Sequence, residues 1–193
     1  MVEYTDGTFI IGEDSLNPGR PGGKEIKRIR LSPKASIYYK SAKALKEADL
    51  IVIGPGDLYA SILPNFVVSG IKPIFRKTKA KIVYIVNLMT RYTQTHGYTA
   101  KTHVEVIKNY LGRYPDYVIV NSGRIPKRVL DKYKKEKGYP VVDDLNGRLP
   151  YKVIRGKLFI LASPKVNAAD ALQRSLLLHE KKVLKKHLLG LLA

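Results

Sequence analysis

A glycine-rich turn directly follows a short, wholly apolar segment of the chain. Residues 50–53 are all apolar, and Gly54-Pro55-Gly56 comes next. Because glycine lacks a Cβ, backbone amides in such a turn can approach a ligand closely, and a helix starting just beyond would direct its N-terminal dipole there. The spacing predicts a phosphate or other anion site. The alternative, a turn that only reverses the chain, stays open.

Two asparagines end further apolar runs. Asn87 follows residues 81–86, and Asn121 follows residues 117–120. Ligands of open parallel sheets bind beyond the carboxyl ends of the strands, so we expect both side chains to line one crevice with the glycine turn. An asparagine offers a donor and an acceptor, which suits a base edge or sugar hydroxyls. Either asparagine could instead cap a helix or hold a loop.

Other polar residues give weaker signals. His96 and His103 are seven positions apart with no carboxylate cluster nearby, so the spacing does not indicate a metal site. Asp143-Asp144 precedes a turn, where such a pair is usually solvated or capping. Tyr59 and Tyr98 could stack on a base or lie in the core. Whether any metal binds stays open.

The elements that must position these residues alternate between strand and helix. This order predicts an α/β fold of three α/β/α layers with a mainly parallel, Rossmann-like sheet in a single domain, 1–193. Short strands are expected at 9–11 and 26–31 around a Pro/Gly-rich loop at 17–23. Buried strands are expected at 50–53, 81–86 and 117–120, a hairpin at 141–154 turning at Asn146-Gly147, and helices at 41–47, 103–111, 128–137 and about 167–192.

Charge is the compositional outlier. The 193 residues contain 35 Lys and Arg against 16 Asp and Glu, a formal net charge of +19. Residues 1–50 carry nine bases and seven acids, so +17 falls on the remainder. Such a field attracts nucleic acid or other polyanions. The lysines are dispersed rather than interleaved with aromatic residues, so a solvated lysine-rich surface is an equally good explanation.

The remaining composition indicates a globular protein. There is no cysteine, which excludes disulfides and thiolate chemistry and fits a reducing compartment. No apolar run reaches the roughly 18 residues that span a bilayer. We therefore expect a cytoplasmic protein without a membrane span.

Two blocks carry a resemblance to a known family. Residues 54–65, GPGDLYASILPN, resemble the GPGSLYTSxxPN signature of YvcK-like gluconeogenesis factors, and residues 87–99, NLMTRYTQTHGYT, resemble their NLMTQxxETxGYT block. These factors are relatives of the 2-phospho-L-lactate transferases in the CofD-like superfamily. Further positions of the family are matched in chain order by Asp6-Gly7-Thr8 with Gly12-Glu13, by His103, and by His179-Glu180.

The resemblance implies a protein that binds a UDP-sugar and acts in carbon metabolism, cell-wall precursor supply and cell-shape regulation. It implies a binding or regulatory role and no assigned catalytic residue. The alternative is a phospholactyl transferase assisted by a divalent metal, and a basic nucleic-acid-associated protein is a second one. The ligand-binding positions implied together by the resemblance and the strand ends are Gly54, Gly56, Asp57, Tyr59, Ser61, Asn65, Asn87, Thr90, Arg91, Gly97, Tyr98 and Asn121.

Departures from the family pattern refine these expectations. No GGGTG phosphate loop occurs in the sequence, so the resemblance implies an N-terminally truncated member and possible dependence on another copy or a partner chain. Asp57 replaces a small hydroxyl residue, and its charge would repel a diphosphate unless a cation or Arg91 intervenes. In and after the second block, the family's Gln is Arg91 in this chain, its Glu is Gln94, and the acid before its histidine is Thr102. The loss of two carboxylates and the gain of a guanidinium favour the binding of anions there over the binding of metals.

Overall fold

A four-stranded parallel sheet forms the centre of the molecule. The computed structural model describes residues 1–16, 22–162 and 176–192. The strands are β4 (Leu50–Ile53), β5 (Lys81–Ile85), β6 (Tyr117–Asn121) and β7 (Lys152–Gly156), in that spatial order. Because the strands are parallel and sequential, each connection must cross over, and each of the three connections contains at least one α-helix. All four carboxyl ends therefore point to one edge of the sheet.

Helices cover both faces of this sheet. One face packs against α1 (Tyr39–Glu47), α2 (Leu63–Phe66), α3 (Ile71–Lys77) and α4 (Ala100–Leu111). The other packs against α5 (Lys127–Lys135) and α6 (Lys181–Leu189). The alternation along β5 explains how one strand serves both layers, since Ile82 and Tyr84 join the first core and Val83 and Ile85 the second. The predicted three-layer α/β fold is confirmed.

Two small antiparallel sheets flank the central one. The first contains β1 (Val2–Tyr4), β2 (Phe9–Ile10) and β3 (Ile26–Ile29), in the order β2-β1-β3. The second pairs β8 (Phe159–Leu161) with β9 (Leu177–His179). The early Asp6-Gly7-Thr8 segment is the turn of the first hairpin, where the Asp6 carboxylate accepts a hydrogen bond from the Thr8 amide at 2.9 Å.

The hairpin expected at 141–154 is wrong. Residues 141–149 form no strand, although Gly147 does turn the chain at φ +77°. The backbone of Val141 donates to Leu88, and Ala100 donates to Val142, so this segment runs past the carboxyl edge and the start of α4. The chain thus returns to the opposite edge before β7 begins, which makes β7 parallel to β6.

The expected helical tail is also wrong in part. Leu177–His179 is a strand, because its backbone pairs with Phe159–Leu161, and this tertiary pairing overrides the helical propensity of leucine. Helix α6 then covers residues 181–189. Residues 163–175 of the predicted tail, and 17–21 of the predicted loop, lie outside the described residues. None of the helices in the described ranges is long and apolar enough to cross a membrane.

Candidate functional site

The glycine turn lies at the carboxyl end of β4, beside the end of β5. Gly54 has φ +80°, a conformation that L side chains rarely adopt, and a Cβ there would lie 3.1 Å from the Ile85 carbonyl oxygen. Glycine is thus required both for the backbone conformation and for the close approach of the two strands. The carbonyl of Gly56 accepts a hydrogen bond from Nδ2 of Asn87 at 2.8 Å.

Asn87 is held with its amide oxygen enclosed. The Gly56 carbonyl can only accept a hydrogen bond, so the Nδ2 end of the amide must face it. The Oδ1 end is buried, and no group in the described part of the chain donates to it. Native proteins normally match such an acceptor with an ordered water or a ligand donor. Asn87 is therefore a fixed side chain with unused acceptor capacity at the carboxyl edge of the sheet.

Asp57 and Arg91 form an ion pair beside this turn. Arg91 donates from Nε to Oδ1 of Asp57 at 2.6 Å, and both side chains are partly exposed. Only one of the five guanidinium N–H groups is used in this contact, and no bond from the Nη atoms is found within the described ranges. The pairing offsets the charge of Asp57 and leaves Arg91 with donors suited to a phosphate.

Several amides of the helical turn after the glycines already have hydrogen-bond partners inside the protein, which narrows the predicted anion site to the amides that precede them. Residues Leu58–Ile62 form a π-helical turn, and its amides at Tyr59 and Ala60 both donate to Oε1 of Gln94, at 3.1 and 3.2 Å. Nε2 of Gln94 donates to the Leu16 carbonyl at 3.3 Å. Gln94 thus satisfies backbone groups of this turn with hydrogen bonds from inside the protein. Sequence reasoning considered Gln94 only as a lost carboxylate and missed its structural role.

Tyr59 and Tyr98 are linked behind the turn. Their hydroxyl groups lie 2.9 Å apart, and their rings meet edge to face with centroids separated by 6.4 Å. Tyr59 is only 4% exposed, so its ring belongs to the core and is not free to stack on a base. Burial raises the pKa of both phenols, so they remain protonated donors and acceptors at neutral pH.

Several other predicted positions serve the loops that carry the site. Asn65 donates from Nδ2 to the Ser61 carbonyl at 2.7 Å. Buried Thr90 exchanges two hydrogen bonds with the Tyr139 backbone, at 2.7 and 3.0 Å. Gly97 turns the chain at φ +75°. These residues hold the segments after β4 and β5 in place.

Asn121 lies at the end of β6, next to β5. The register pairs Ile85 with Ile119, so the strand ends at Asn87 and Asn121 are neighbours, as the crevice prediction requires. Both polar atoms of Asn121 are engaged, however. Its Nδ2 donates to the Gly123 carbonyl, and its Oδ1 accepts from the amides of Gly123 and Leu158. The structure thus gives Asn121 a loop-holding role, whereas Oδ1 of Asn87 has no donor among the residues that the structure describes.

His103, His179 and the Asp143-Asp144 pair have internal partners or are enclosed. His103 is fully buried, its Nδ1 lies 2.8 Å from the Thr99 carbonyl, and burial lowers its pKa. His179, reached from β9, places Nε2 3.4 Å from the Val86 carbonyl, beside Asn87. Asp143 is bound by Arg155 at 2.6 Å, and Asp144 accepts from the Lys101 amide at 2.9 Å.

The divalent metal of the transferase alternative does not fit these residues. Asp57, the carboxylate at the turn, is already paired with Arg91, and Gln94 is committed to backbone groups. Within residues 1–16, 22–162 and 176–192, no three His, Asp or Glu side chains lie close enough to share a metal ion.

Comparison with known proteins gives consistent matches. The family described as 2-phospho-L-lactate transferase CofD matches residues 1–159. A gluconeogenesis factor of Halalkalibacterium halodurans is 42% identical over 144 residues, 74% of this chain and 44% of that protein. The Bacillus subtilis gluconeogenesis factor is 39% identical over 146 residues, 75% of this chain and 45% of that protein.

The same relationship holds in three dimensions. A crystal structure of a UPF0052 family protein from Bacillus halodurans superposes with a TM-score of 0.83 at 34% identity, covering 97% of this chain and 57% of that one. The chain spans less than half the length of the two gluconeogenesis factors. The chain belongs to the CofD family, in its YvcK-like gluconeogenesis-factor group.

Proposed function

We propose that this chain binds a sugar nucleotide, a UDP-sugar, at the carboxyl edge of its parallel sheet. By this activity it would act, like YvcK-like factors, in carbon metabolism, cell-wall precursor supply and cell-shape regulation. The role is that of a binding and regulatory protein.

Asn87 carries the proposal. Its amide is oriented by the 2.8 Å bond to Gly56, and its buried Oδ1 has no donor among the described residues. The N–H of a uracil ring and the hydroxyls of a sugar are donors of the kind that this oxygen can accept. An enclosed acceptor that a ligand satisfies also gives selectivity, because a ligand without the donor leaves the acceptor unpaired.

Arg91 supports the diphosphate part of the ligand. Its Nε–Asp57 contact fixes the guanidinium beside the turn, and no residue in the described part of the chain accepts a hydrogen bond from its Nη atoms. A planar guanidinium can bind two phosphate oxygens at once. The glycine turn allows the backbone to come close to the same phosphates, although Tyr59 and Ala60 amides are already used by Gln94.

The test is calorimetric titration of the purified chain with UDP-N-acetylglucosamine, with UMP and N-acetylglucosamine as partial ligands. We expect binding of the sugar nucleotide, weaker binding of UMP, and a rise in melting temperature at saturation. Asn87→Ala should reduce the affinity at least about tenfold, since a hydrogen bond to a ligand is lost. Asn109→Ala is the matched control, because Asn109 is exposed near the end of α4.

A folded chain that binds none of these ligands would contradict the proposal. Equal loss of affinity in Asn87→Ala and Asn109→Ala would remove Asn87 from the site. The transferase alternative predicts instead a magnesium-dependent transfer product, which the binding proposal does not require.

A further inference from the structure

Helix α1 presents an aromatic and basic stripe to solvent. None of its nine residues is fully buried. Tyr39, Lys43 and Lys46 are spaced i, i+4 and i+7, so they share one side of the helix. Tyr39 is 68% exposed and lies against Tyr38, with ring centroids 4.7 Å apart. The stripe has a stackable ring at one end and a cation at the other.

The cationic end of this stripe opens into a cleft between α1 and α3. The cleft has a volume of about 530 Å³ and is lined by Lys46, Pro73, Ile74, Lys77, Thr78 and Lys79. A second cleft of about 270 Å³ shares Pro73 and Lys77 with it and adds Lys72 and Arg76. We call Tyr39, Lys43, Lys46, Arg76, Lys77 and Lys79 the α1–α3 basic surface.

The cations of this surface are largely unneutralised. In the part of the chain that the structure describes, no carboxylate lies within 4 Å of Lys46, Arg76, Lys77 or Lys79. Lys43 has only a long contact of 3.9 Å with exposed Glu47. Closely spaced positive charges repel one another, so their accumulation in a cleft favours a polyanionic ligand.

The cleft of the α1–α3 basic surface is separate from the Asn87 site. Helix α3 ends at Lys77, shortly before β5 begins at Lys81, and α1 ends at Glu47, shortly before β4 begins at Leu50. The cleft therefore lies at the amino edge of the sheet. Asn87 follows the end of β5, at the opposite edge.

We propose that the α1–α3 basic surface binds the backbone of single-stranded nucleic acid, with Tyr39 stacking on a base. A flexible strand can enter a cleft and place phosphates near its lysines, whereas a flat lipid surface cannot. Cationic grooves combined with exposed aromatic rings are the usual means of binding single strands without reading their sequence. The surface offers no set of fixed side-chain donors for base edges, so binding should depend little on sequence.

The test is fluorescence anisotropy with a labelled 15-nucleotide oligouridine, titrated at several salt concentrations. Four phosphate contacts predict a log–log salt slope of about −3. The variant K46Q/K77Q/K79Q should lower the affinity at least about tenfold and make the slope shallower by about 2. Tyr39→Ala should lower the affinity by about tenfold with the slope unchanged, because stacking releases no counterions.

The matched control is K132Q/K134Q/K135Q, which removes the same charge from the exposed face of α5. It should change the affinity less than about threefold, through the general field alone. Equal losses in the two triple variants would show diffuse attraction and overturn the proposal. Binding to vesicles containing phosphatidylserine without binding to the oligonucleotide would also overturn it.

Discussion

Asp57 and Arg91 are 34 positions apart in the chain, and their side chains meet at 2.6 Å. The contact joins the loop after β4 to the loop after β5, the two segments that carry the glycine turn and Asn87. The Asp57 carboxylate alone would repel an anionic ligand. Paired with Arg91, it instead holds in place a guanidinium that attracts such a ligand.

Replacing Asp57 with Asn should strengthen the binding of a sugar nucleotide. The substitution removes a carboxylate close to the proposed phosphate position, and an exposed charge interaction is worth up to about 1 kcal/mol, or roughly fivefold in affinity. Calorimetry at low and high salt checks this, with Asp131→Asn on α5 as the control. Weaker binding by Asp57→Asn would mean that orienting Arg91 matters more than the charge removed.

Replacing Gln94 with Leu should destabilise the fold. The amides of Tyr59 and Ala60 would lose their partner, and each buried unpaired group costs about 1–3 kcal/mol. The Leu16 carbonyl would keep its 2.6 Å hydrogen bond from the Thr93 hydroxyl. We expect a loss of about 2–4 kcal/mol in the free energy of unfolding, measured with urea. Asn65→Ala, at an exposed position, should cost less than about 1 kcal/mol. A Gln94→Leu variant as stable as the parent would show that water satisfies this turn.

Replacing Gly54 with Ala should cost more than the same change at Gly97. Both residues have positive φ, +80° and +75°, so both variants carry the strain of the left-handed region, about 1–2 kcal/mol. Only at Gly54 does the new Cβ also press on backbone, 3.1 Å from the Ile85 carbonyl, while Gly97 is open. The difference in unfolding free energy isolates this contact. Identical losses would show that β4 and β5 can separate freely.

The buried His103 should make stability depend on pH. Burial lowers its pKa in the folded state below the ordinary value of 6.5, so the unfolded chain binds the proton first as pH falls. Stability is therefore fully present above pH 6.5 and declines below it, by up to about 1.4 kcal/mol per pH unit. His179, whose pKa burial also lowers, adds in the same direction.

Urea unfolding at pH 7.5, 6.5 and 5.5 measures this dependence. His103→Gln should flatten the decline below pH 6.5, whatever its effect on stability at pH 7.5. His96→Gln, which changes an exposed ring, is the control. An unchanged decline in His103→Gln would show that other groups cause it.

Local patterns predicted the parallel strands well. Apart from Lys81, the runs at 50–53, 81–86 and 117–120 are apolar or aromatic at every position, because helices cover both faces of the sheet. All three form strands within one residue of these bounds. The fourth strand was missed as a parallel strand. A turn at Asn146-Gly147 followed by an apolar segment is also typical of a hairpin, and only the bonds of 141–142 to Leu88 and Ala100 exclude one.

The sequence by itself determined the layered α/β architecture, the family, and the meeting of the glycine turn with Asn87 at one edge of the sheet. These follow from short-range patterns. Apolar runs indicate strands buried in a parallel sheet, and parallel strands bring the residues after their carboxyl ends to the same edge. Only the tertiary structure decided which polar groups remain free. It assigns Asn121 and Gln94 to backbone partners, shows no donor to Asn87 Oδ1 within the described ranges, and brings α1 and α3 together into one basic cleft. Hydrogen-bond satisfaction depends on atoms distant in sequence, and residue type alone does not reveal it.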